Sequence, residues 1–302
     1  MRSTDSQPSR RIVRWIHVTD LQLGLGKSAD NDNDTNARRL IEQVVSEEVD
    51  FVINSGDLIH GAHADQTLET IMEYWSDYQT AVKPLAGKSP ILSAPGNHDM
   101  TREDRSMEQY CLETGRAGQP SYYAATIQGV HVVCLDVVSG LHRGGFPTGS
   151  EQEAWLKQEL NRLPQARCLI AVGHYPIFLS PDFYGRFSDS SLNYDERTGQ
   201  EGVLLPILLK SGVDLYLCGH LHTYERTRYG QLTQVMAGAY GIAYPDMMPY
   251  QPNQYCQALD ERQCYVRYTL TEDSIHAEAL SLQGAVVDAW SQALNRDQRS
   301  AV

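Results

Sequence analysis

Short apolar runs alternate with amphipathic stretches through the first two-thirds of the chain, which predicts strands and helices in turn. Ile12-Val13-Arg14-Trp15-Ile16-His17-Val18 is apolar and β-branched and predicts a strand, while the acidic, amide-rich stretch from Lys27 to Asn36 predicts a loop. Leu40, Ile41, Val44 and Val45 recur at helical spacing, and Phe51-Val52-Ile53-Asn54-Ser55 reads as a second strand, so the opening segment is a βαβ unit. The pattern then repeats, with a helix around residues 65 to 83, a strand at Ile91-Leu92-Ser93 and a polar, helix-compatible segment around residues 103 to 114. Gly129 splits the runs Tyr122 to Ile127 and Val130 to Asp136, as in a hairpin. Ser150 is placed to cap a helix that carries Trp155, Leu156, Leu160 and Leu163 on one face.

Cys168 to Val172 and Val213 to Cys218 are short apolar strands, and the runs near residues 231 to 238, 264 to 271 and 274 to 282 alternate like antiparallel strands. The tail from Val286 to Val302 is expected to be a short, fraying helix. With no repeat and no shift in composition, the expectation is one domain over residues 1–302, with a core of about 12–282 between polar tails. Two segments are rich in large side chains: Ser180 to Thr198 carries Phe183, Tyr184, Phe187 and Tyr194, and Tyr240 to Tyr255 carries Tyr244, Met247, Met248 and Tyr250. They read equally as walls of a pocket or as lids packed on the core.

Composition narrows the function classes. A net charge of −13 and the lack of a basic stripe disfavour long nucleic acids, but not a phosphate ester held by metals. The polar start, Met1 to Arg11, has no apolar leader core, and no stretch is long enough to span a bilayer, so no membrane partner and a cytoplasmic location are expected. The six cysteines form no C-x-x-C pair, and Cys134, Cys168 and Cys218 sit within apolar strands, so buried free thiols are expected; only Cys256 and Cys264 are near enough in sequence to suggest a disulfide or a surface role.

The chemistry lies in five short motifs: Thr19-Asp20-Leu21-Gln22, Gly56-Asp57-Leu58-Ile59-His60, Gly96-Asn97-His98-Asp99, Gly173-His174-Tyr175-Pro176 and Gly219-His220-Leu221-His222. Most follow an apolar strand, so all could meet at one edge of a sheet, where open α/β folds place their sites. In an extended segment residues i and i+2 point the same way, which would aim His220 with His222 and Asp20 with Gln22 at a common region. Carboxylate and amide oxygens mixed with imidazole nitrogens suit Mn, Fe, Zn or Mg. Asp20 and Asp57 bring two negative charges, and the other candidate ligands are neutral. Two divalent cations would therefore leave a positive centre, able to lower the pKa of a bridging water and to clamp phosphoryl oxygens. His98 is placed to serve as general acid, with Asp99 as the acidic neighbour that orients it.

Taken in order, these motifs resemble the calcineurin-like metallophosphoesterase family, whose pattern is D-x-H, G-D, G-N-H-[DE], G-H and G-H-x-H. The resemblance spans Asp20 to His222 and is specific as a combination, although each motif alone is weak. It implies a four-layer αββα sandwich, two mixed β-sheets flanked by helices, with a dinuclear centre at the strand ends. It implies one metal among Asp20, Gln22, Asp57 and His222, the other among Asp57, Asn97, His174 and His220, and His98 as proton donor. Gly173 to Pro176 and Gly219 to Arg226 are most similar to purple acid phosphatases, but the position of their iron-bound tyrosinate is held here by His60, so no charge-transfer colour is expected and His60 becomes a candidate supporting group. Gln22 stands where the family pattern has histidine. It could ligate through its amide oxygen, hold a metal-bound water or mark a weakened site.

The implied function is hydrolysis of a small phosphorylated substrate by a metal-bound hydroxide, with a phosphomonoester favoured. A phosphodiesterase and a binding module with an impaired first metal site are the alternatives, and oligomeric state is open. His17, His63, His131, His142 and His276 read as structural or surface histidines, while Tyr224 and Arg226 could meet substrate phosphate or pack on the core.

Overall fold

Strand β1 (Val13–Val18) turns Val13 and Trp15 to one side and Ile16 and Val18 to the other, and all four are buried. A strand covered on both faces must lie inside a layered structure. Strands β2 (Phe51–Asn54), β5 (Val130–Cys134), β6 (Cys168–Val172) and β7 (Leu215–Cys218) show the same double burial. Phe51, Ile53, Val130, Val132, Ile170, Leu215 and Leu217 join Trp15 in one apolar cluster, whereas Ile16, Val52, Val133, Leu169 and Tyr216 belong to a second cluster that includes helical side chains. The structure, a computed structural model, describes residues 11–28, 33–63, 66–100, 107–139, 146, 148–162, 165–178, 200–238 and 252–296.

With β3 (Ile91–Ser93), β11 (Cys264–Leu270), β12 (Ser274–Ser281) and β13 (Val286–Ala293), strands β1 and β2 form a six-stranded sheet in the order β13-β12-β11-β1-β2-β3. The second sheet adds β4 (Tyr123–Ile127), β8 (Tyr224–Tyr229), β9 (Leu232–Met236) and β10 (Cys256–Asp260) in the order β10-β8-β9-β7-β6-β5-β4. Strands β1, β2 and β3 run parallel in the first sheet, as do β5, β6, β7 and β9 in the second. The helices are α1 (Leu25–Ser28), α2 (Asn33–Ser46), α3 (Leu68–Ala86), α4 (Glu108–Glu113), α5 (Glu151–Asn161) and α6 (Leu205–Lys210), with a π-helical turn at Gln200–Leu204. Leu40, Ile41 and Tyr78 of α2 and α3 meet Val18 and Val52 of the first sheet, and Leu156, Leu160 and Leu208 of α5 and α6 lie in the outer cluster with Leu169 and Tyr216 of the second. This is the αββα sandwich. Trp15 sits at its centre, stacked between Phe51 at 5.6 Å and Tyr268 at 5.0 Å.

Four local expectations give way. The tail is not a helix at its start: Val286–Ala293 is a strand paired antiparallel to β12, and Trp290 packs edge-on against Tyr268 at 6.2 Å. Its edge position leaves most side chains partly exposed, which blurs the alternation that marks a strand. The stretch expected as a loop from Lys27 to Asn36 contains the end of α1 and the start of α2, where the Asp34 carboxylate accepts the Gly24 and Gly26 N–H groups at 3.1 Å each. Cys256 and Cys264 are both free, on strands of different sheets, and all six cysteines are unbridged. Strands β8 and β10 had no counterpart among the expected elements. Ser150 does cap α5, its hydroxyl accepting the Glu153 N–H at 3.1 Å. Phe183, Tyr184, Phe187, Tyr194, Tyr244, Met247, Met248 and Tyr250 lie outside the described residues, whereas Tyr255 packs on Tyr229 at 4.9 Å. Among the described residues no helix is long and apolar enough to cross a membrane.

Candidate metal centre

The carboxyl ends of β1, β2 and β3 lead into Asp20, Asp57 and Asn97, and those of β6 and β7 lead into His174 and His220. The motifs therefore come from two sheets side by side, not from one sheet edge. Backbone bonds join neighbouring motifs, Asp20 N–H to Gly56 C=O at 2.9 Å and Gly219 N–H to His174 C=O at 3.0 Å. One bond between the sheets is made by His174, whose Nδ1 donates to the Ser55 carbonyl at 2.9 Å. A carbonyl can only accept, so Nδ1 holds a proton and Nε2 is the nitrogen that faces the carboxylates.

That Nε2 lies 3.2 Å from Asp57 Oδ2 and 4.0 Å from Asp20 Oδ1, while His222 Nε2 lies 3.3 Å from the same Asp20 oxygen. All four side chains are buried, and His174 Nε2 makes no aligned hydrogen bond. Electron-rich atoms this close in a dry pocket repel one another unless a proton or a cation lies among them. Asn97 Oδ1 is a further buried acceptor without a hydrogen-bond partner. These orphaned acceptors fit a cation site, and Asp20, Asp57 and His174 alone already bring three ligand atoms within 4.8 Å of one another.

The titration behaviour has the same cause. Burial pushes the His174 imidazole down, but the Asp57 and Asp20 carboxylates outweigh it and lift it to about 9. Burial would raise Asp57, yet His174 and His98 hold it well below the usual carboxylate range. At His220 burial and the neighbouring His174 outweigh the same two carboxylates and push it down to about 3, which keeps the ring neutral with one nitrogen lone pair available. Its ring stands edge-on to His174 at 5.2 Å.

Asp20, Gln22, Asp57, His220 and His222 all have left-handed backbone, with φ of 51, 43, 54, 80 and 56°. The convergence of Asp20 with Gln22 and of His220 with His222 is thus not the same-side geometry of an extended strand. Each pair flanks a buried leucine, Leu21 or Leu221, and the chain coils so that the leucine enters the core. A left-handed non-glycine residue costs on the order of 1 kcal/mol or more and persists only where surrounding bonds enforce it. Here the Gln22 N–H binds the Asp57 carbonyl at 2.9 Å, the His220 N–H binds Asp20 Oδ2 at 3.0 Å, and the Thr19 hydroxyl binds the same oxygen at 2.6 Å. Gly96 is required by space, since a Cβ there would lie 2.1 Å from the Asp57 amide nitrogen.

Gln22 points into the centre. Its Nε2 is 3.2 Å from Asp57 Oδ2 and 3.5 Å from His222 Nε2, and a half-turn of the amide puts Oε1 in the same place. His98 lies at the rim. Its Nδ1 donates to the Gly61 carbonyl at 2.8 Å, and its Nε2 is 3.9 Å from Asp57 Oδ2. Asp99 does not orient it, contrary to expectation: its carboxylate accepts the N–H groups of Leu58 at 2.7 Å, Ile59 at 3.2 Å and Gly96 at 2.7 Å, which ties two motif loops together. Tyr224 and Arg226 are turned away, both bonded to Asp288 of β13 at 2.8 and 2.7 Å. Sequence reasoning missed the Ser55 and Gly61 carbonyls that fix the histidine tautomers, because a backbone acceptor leaves no mark in residue identity.

Residues 13–224 match the family described as calcineurin-like phosphoesterase. The chain belongs to that family. Among curated relatives of this family member, Purple acid phosphatase 18 of Arabidopsis thaliana is 26% identical over 182 residues, which cover 56% of this chain and 38% of the relative. The chain thus spans well under half the length of that relative. Among solved structures, a purple acid phosphatase from yellow lupin (Lupinus luteus) seeds superposes with a TM-score of 0.72 at 17% identity, covering 97% of this chain and 55% of the other. GAP50, the anchor in the inner membrane complex of Plasmodium, gives 0.66 at 17% identity, covering 96% and 94%. The two structures share the fold of this chain.

Proposed function

We propose that this chain is a metal-dependent phosphoesterase that acts on small phosphate esters, with monoesters preferred. The observation that carries the reading is the buried meeting of the Asp20 and Asp57 carboxylates with two imidazoles, His174 Nε2 at 4.0 and 3.2 Å from them and His222 Nε2 at 3.3 Å from Asp20. Asp20, Gln22, Asp57 and His222 would hold one divalent cation, and Asp57, Asn97, His174 and His220 a second. When bound, such a pair supplies an activated water and neutralises charge on phosphoryl oxygens. The protein's own part is to hold this arrangement rigid through the two-sheet bonds and to present His98. With Nδ1 fixed on the Gly61 carbonyl, His98 Nε2 is the atom that can carry a proton to a leaving-group oxygen. Half-burial at the rim gives it access to both solvent and the centre.

The preference for monoesters is supported by the phosphatase names of the relatives, and the net charge of −13 speaks against long polyanions. A cytoplasmic location belongs to the same proposal, supported by six free thiols, of which five are buried. The test compares p-nitrophenyl phosphate with its bis-aryl diester at saturating Mn²⁺. The expected result is a kcat/KM at least about tenfold higher for the monoester, a difference of about 1.4 kcal/mol in transition-state binding. The reverse ratio assigns a phosphodiesterase. Metal binding without turnover of either ester assigns a binding module, the reading that the Gln22 amide would favour.

A further inference from the structure

Beside the centre lies a second group of nitrogen donors. His60 and His63 leave the Asp57 loop and meet His98 from the Asn97 loop, with ring centroids 4.2 Å apart for His60 and His63, 5.2 Å for His60 and His98, and 4.9 Å for His63 and His98. One nitrogen from each ring lies within 4.8 Å of the other two. We propose that His60, His63 and His98 form a third cation site, selective for zinc-like ions that prefer imidazole, distinct from the Asp20 and Asp57 centre. The donor set differs in kind: three neutral imidazoles without a carboxylate suit Zn²⁺, Co²⁺ or Ni²⁺ and disfavour Mg²⁺ and Mn²⁺.

The geometry is held by the backbone. Ala62, between the first two histidines, has left-handed φ of 66°, which bends the chain so that His60 and His63 face each other. The Gln66 amide clamps this bend, donating to the His60 carbonyl at 2.6 Å and accepting the His63 N–H at 3.0 Å. Gly61 joins it to the other loop, its N–H bound to the His98 carbonyl at 3.1 Å and its carbonyl to His98 Nδ1 at 2.8 Å. A histidine whose second ring nitrogen donates to a backbone carbonyl is in the tautomer and orientation of a metal ligand. His60 Nδ1 is buried without a hydrogen-bond partner. Tetrahedral zinc with Zn–N of 2.0–2.1 Å needs its nitrogens about 3.4 Å apart, so small rotations of the rings close the site. All three residues are partly exposed, which gives an ion a path from solvent.

An ion here occupies His98 Nε2 and removes it as proton donor, so zinc above the amount that fills the centre lowers turnover. That consequence rests on the phosphoesterase reading; the binding itself does not. The test is equilibrium dialysis of the chelator-stripped full chain against Zn²⁺, with metal counted by mass spectrometry, on wild type, His63→Ala, Gln66→Ala and the double variant Asp20→Asn/His174→Ala. His63 and Gln66 touch neither carboxylate. Circular dichroism confirms that each variant is folded, and Co²⁺ absorption of wild type gives a second readout. The expected result is one Zn²⁺ equivalent lost in His63→Ala, bound about tenfold more weakly in Gln66→Ala and retained in the double variant, with a tetrahedral Co²⁺ band that His63→Ala lacks. Equal stoichiometry and affinity in wild type and His63→Ala overturns the site, whatever the centre binds. If the centre itself fails to bind, the double variant matches wild type while His63→Ala still loses its equivalent.

Discussion

In the proposed centre, the role of Gln22 is to set the strength of the first metal position. Its amide keeps the charge of a histidine ligand but offers a harder, weaker donor, buried at 3% exposure and 3.2 Å from Asp57 Oδ2. Gln22→His is therefore expected to tighten the first metal by roughly tenfold or more, with Zn²⁺ gaining over Mg²⁺ and Mn²⁺; a competitive metal titration checks it, and equal affinities in both forms would refute the role. For His98, the prediction separates acid from ligand. His98→Ala should lower turnover by about 10²- to 10⁴-fold while leaving the metal content of the carboxylate centre intact, measured on protein loaded with Mn²⁺, which the imidazole cluster disfavours. Loss of that metal would make His98 a ligand instead. The residues that the structure gathers are readable because carboxylate, amide and imidazole donors sit in short motifs at strand ends, with Asp57, Asn97, His174 and His220 each directly after a glycine. Their left-handed backbone was not readable: Asp20-Leu21-Gln22 and His220-Leu221-His222 look like alternating strand, and only the burial of both leucines shows that the chain coils there. His63 reads in the sequence as a lone histidine, since the bend at Ala62 that brings it to His60 has no signature in residue type.

Between the elements, the loops after β2 and β3 behave as one unit. Asp99 binds Leu58, Ile59 and Gly96, the His98 N–H binds Asp57 Oδ1 at 2.8 Å, and Gly96 leaves no room for a side chain against Asp57. Gly96→Ala forces a methyl group into backbone and is expected to destabilise the protein by about 1–3 kcal/mol and to weaken metal binding. Urea unfolding checks the first effect, and a midpoint equal to wild type would show that the loops move apart freely. Strand prediction succeeded where side chains are buried on both faces, as in β1, β2, β6 and β7, because such strands read as apolar runs. It failed at β8, where Tyr224-Glu225-Arg226-Thr227-Arg228-Tyr229 carries three charges, and at the half-exposed β13. These two are fixed by tertiary contact instead: Asp288 of β13 receives both Tyr224 and Arg226 of β8, and Arg226 lies over the Trp290 ring at 5.5 Å.

At the scale of the molecule, two sheets from separate stretches of chain deliver ligands to one place. The first brings Asp20, Asp57 and Asn97, and the second brings His174, His220 and His222, so the centre exists only when the sandwich has closed. The His174 bond to the Ser55 carbonyl and the His220 N–H bond to Asp20 join them at the centre. The fold was legible through the family resemblance of the ordered motifs rather than through periodicity, which gives strands but not their partition into two sheets. The central claim is that this centre hydrolyses phosphate esters with bound divalent metal. It is tested most directly by turnover of p-nitrophenyl phosphate by the chelator-stripped full chain after adding back Mn²⁺, Fe²⁺, Zn²⁺ or Mg²⁺ at stoichiometric amounts, with Asp57→Asn beside wild type. The account predicts no turnover without metal, turnover with at least one of the four, and a loss of at least about 10³-fold in Asp57→Asn. No turnover with any of the four metals, or equal turnover in Asp57→Asn, would contradict it.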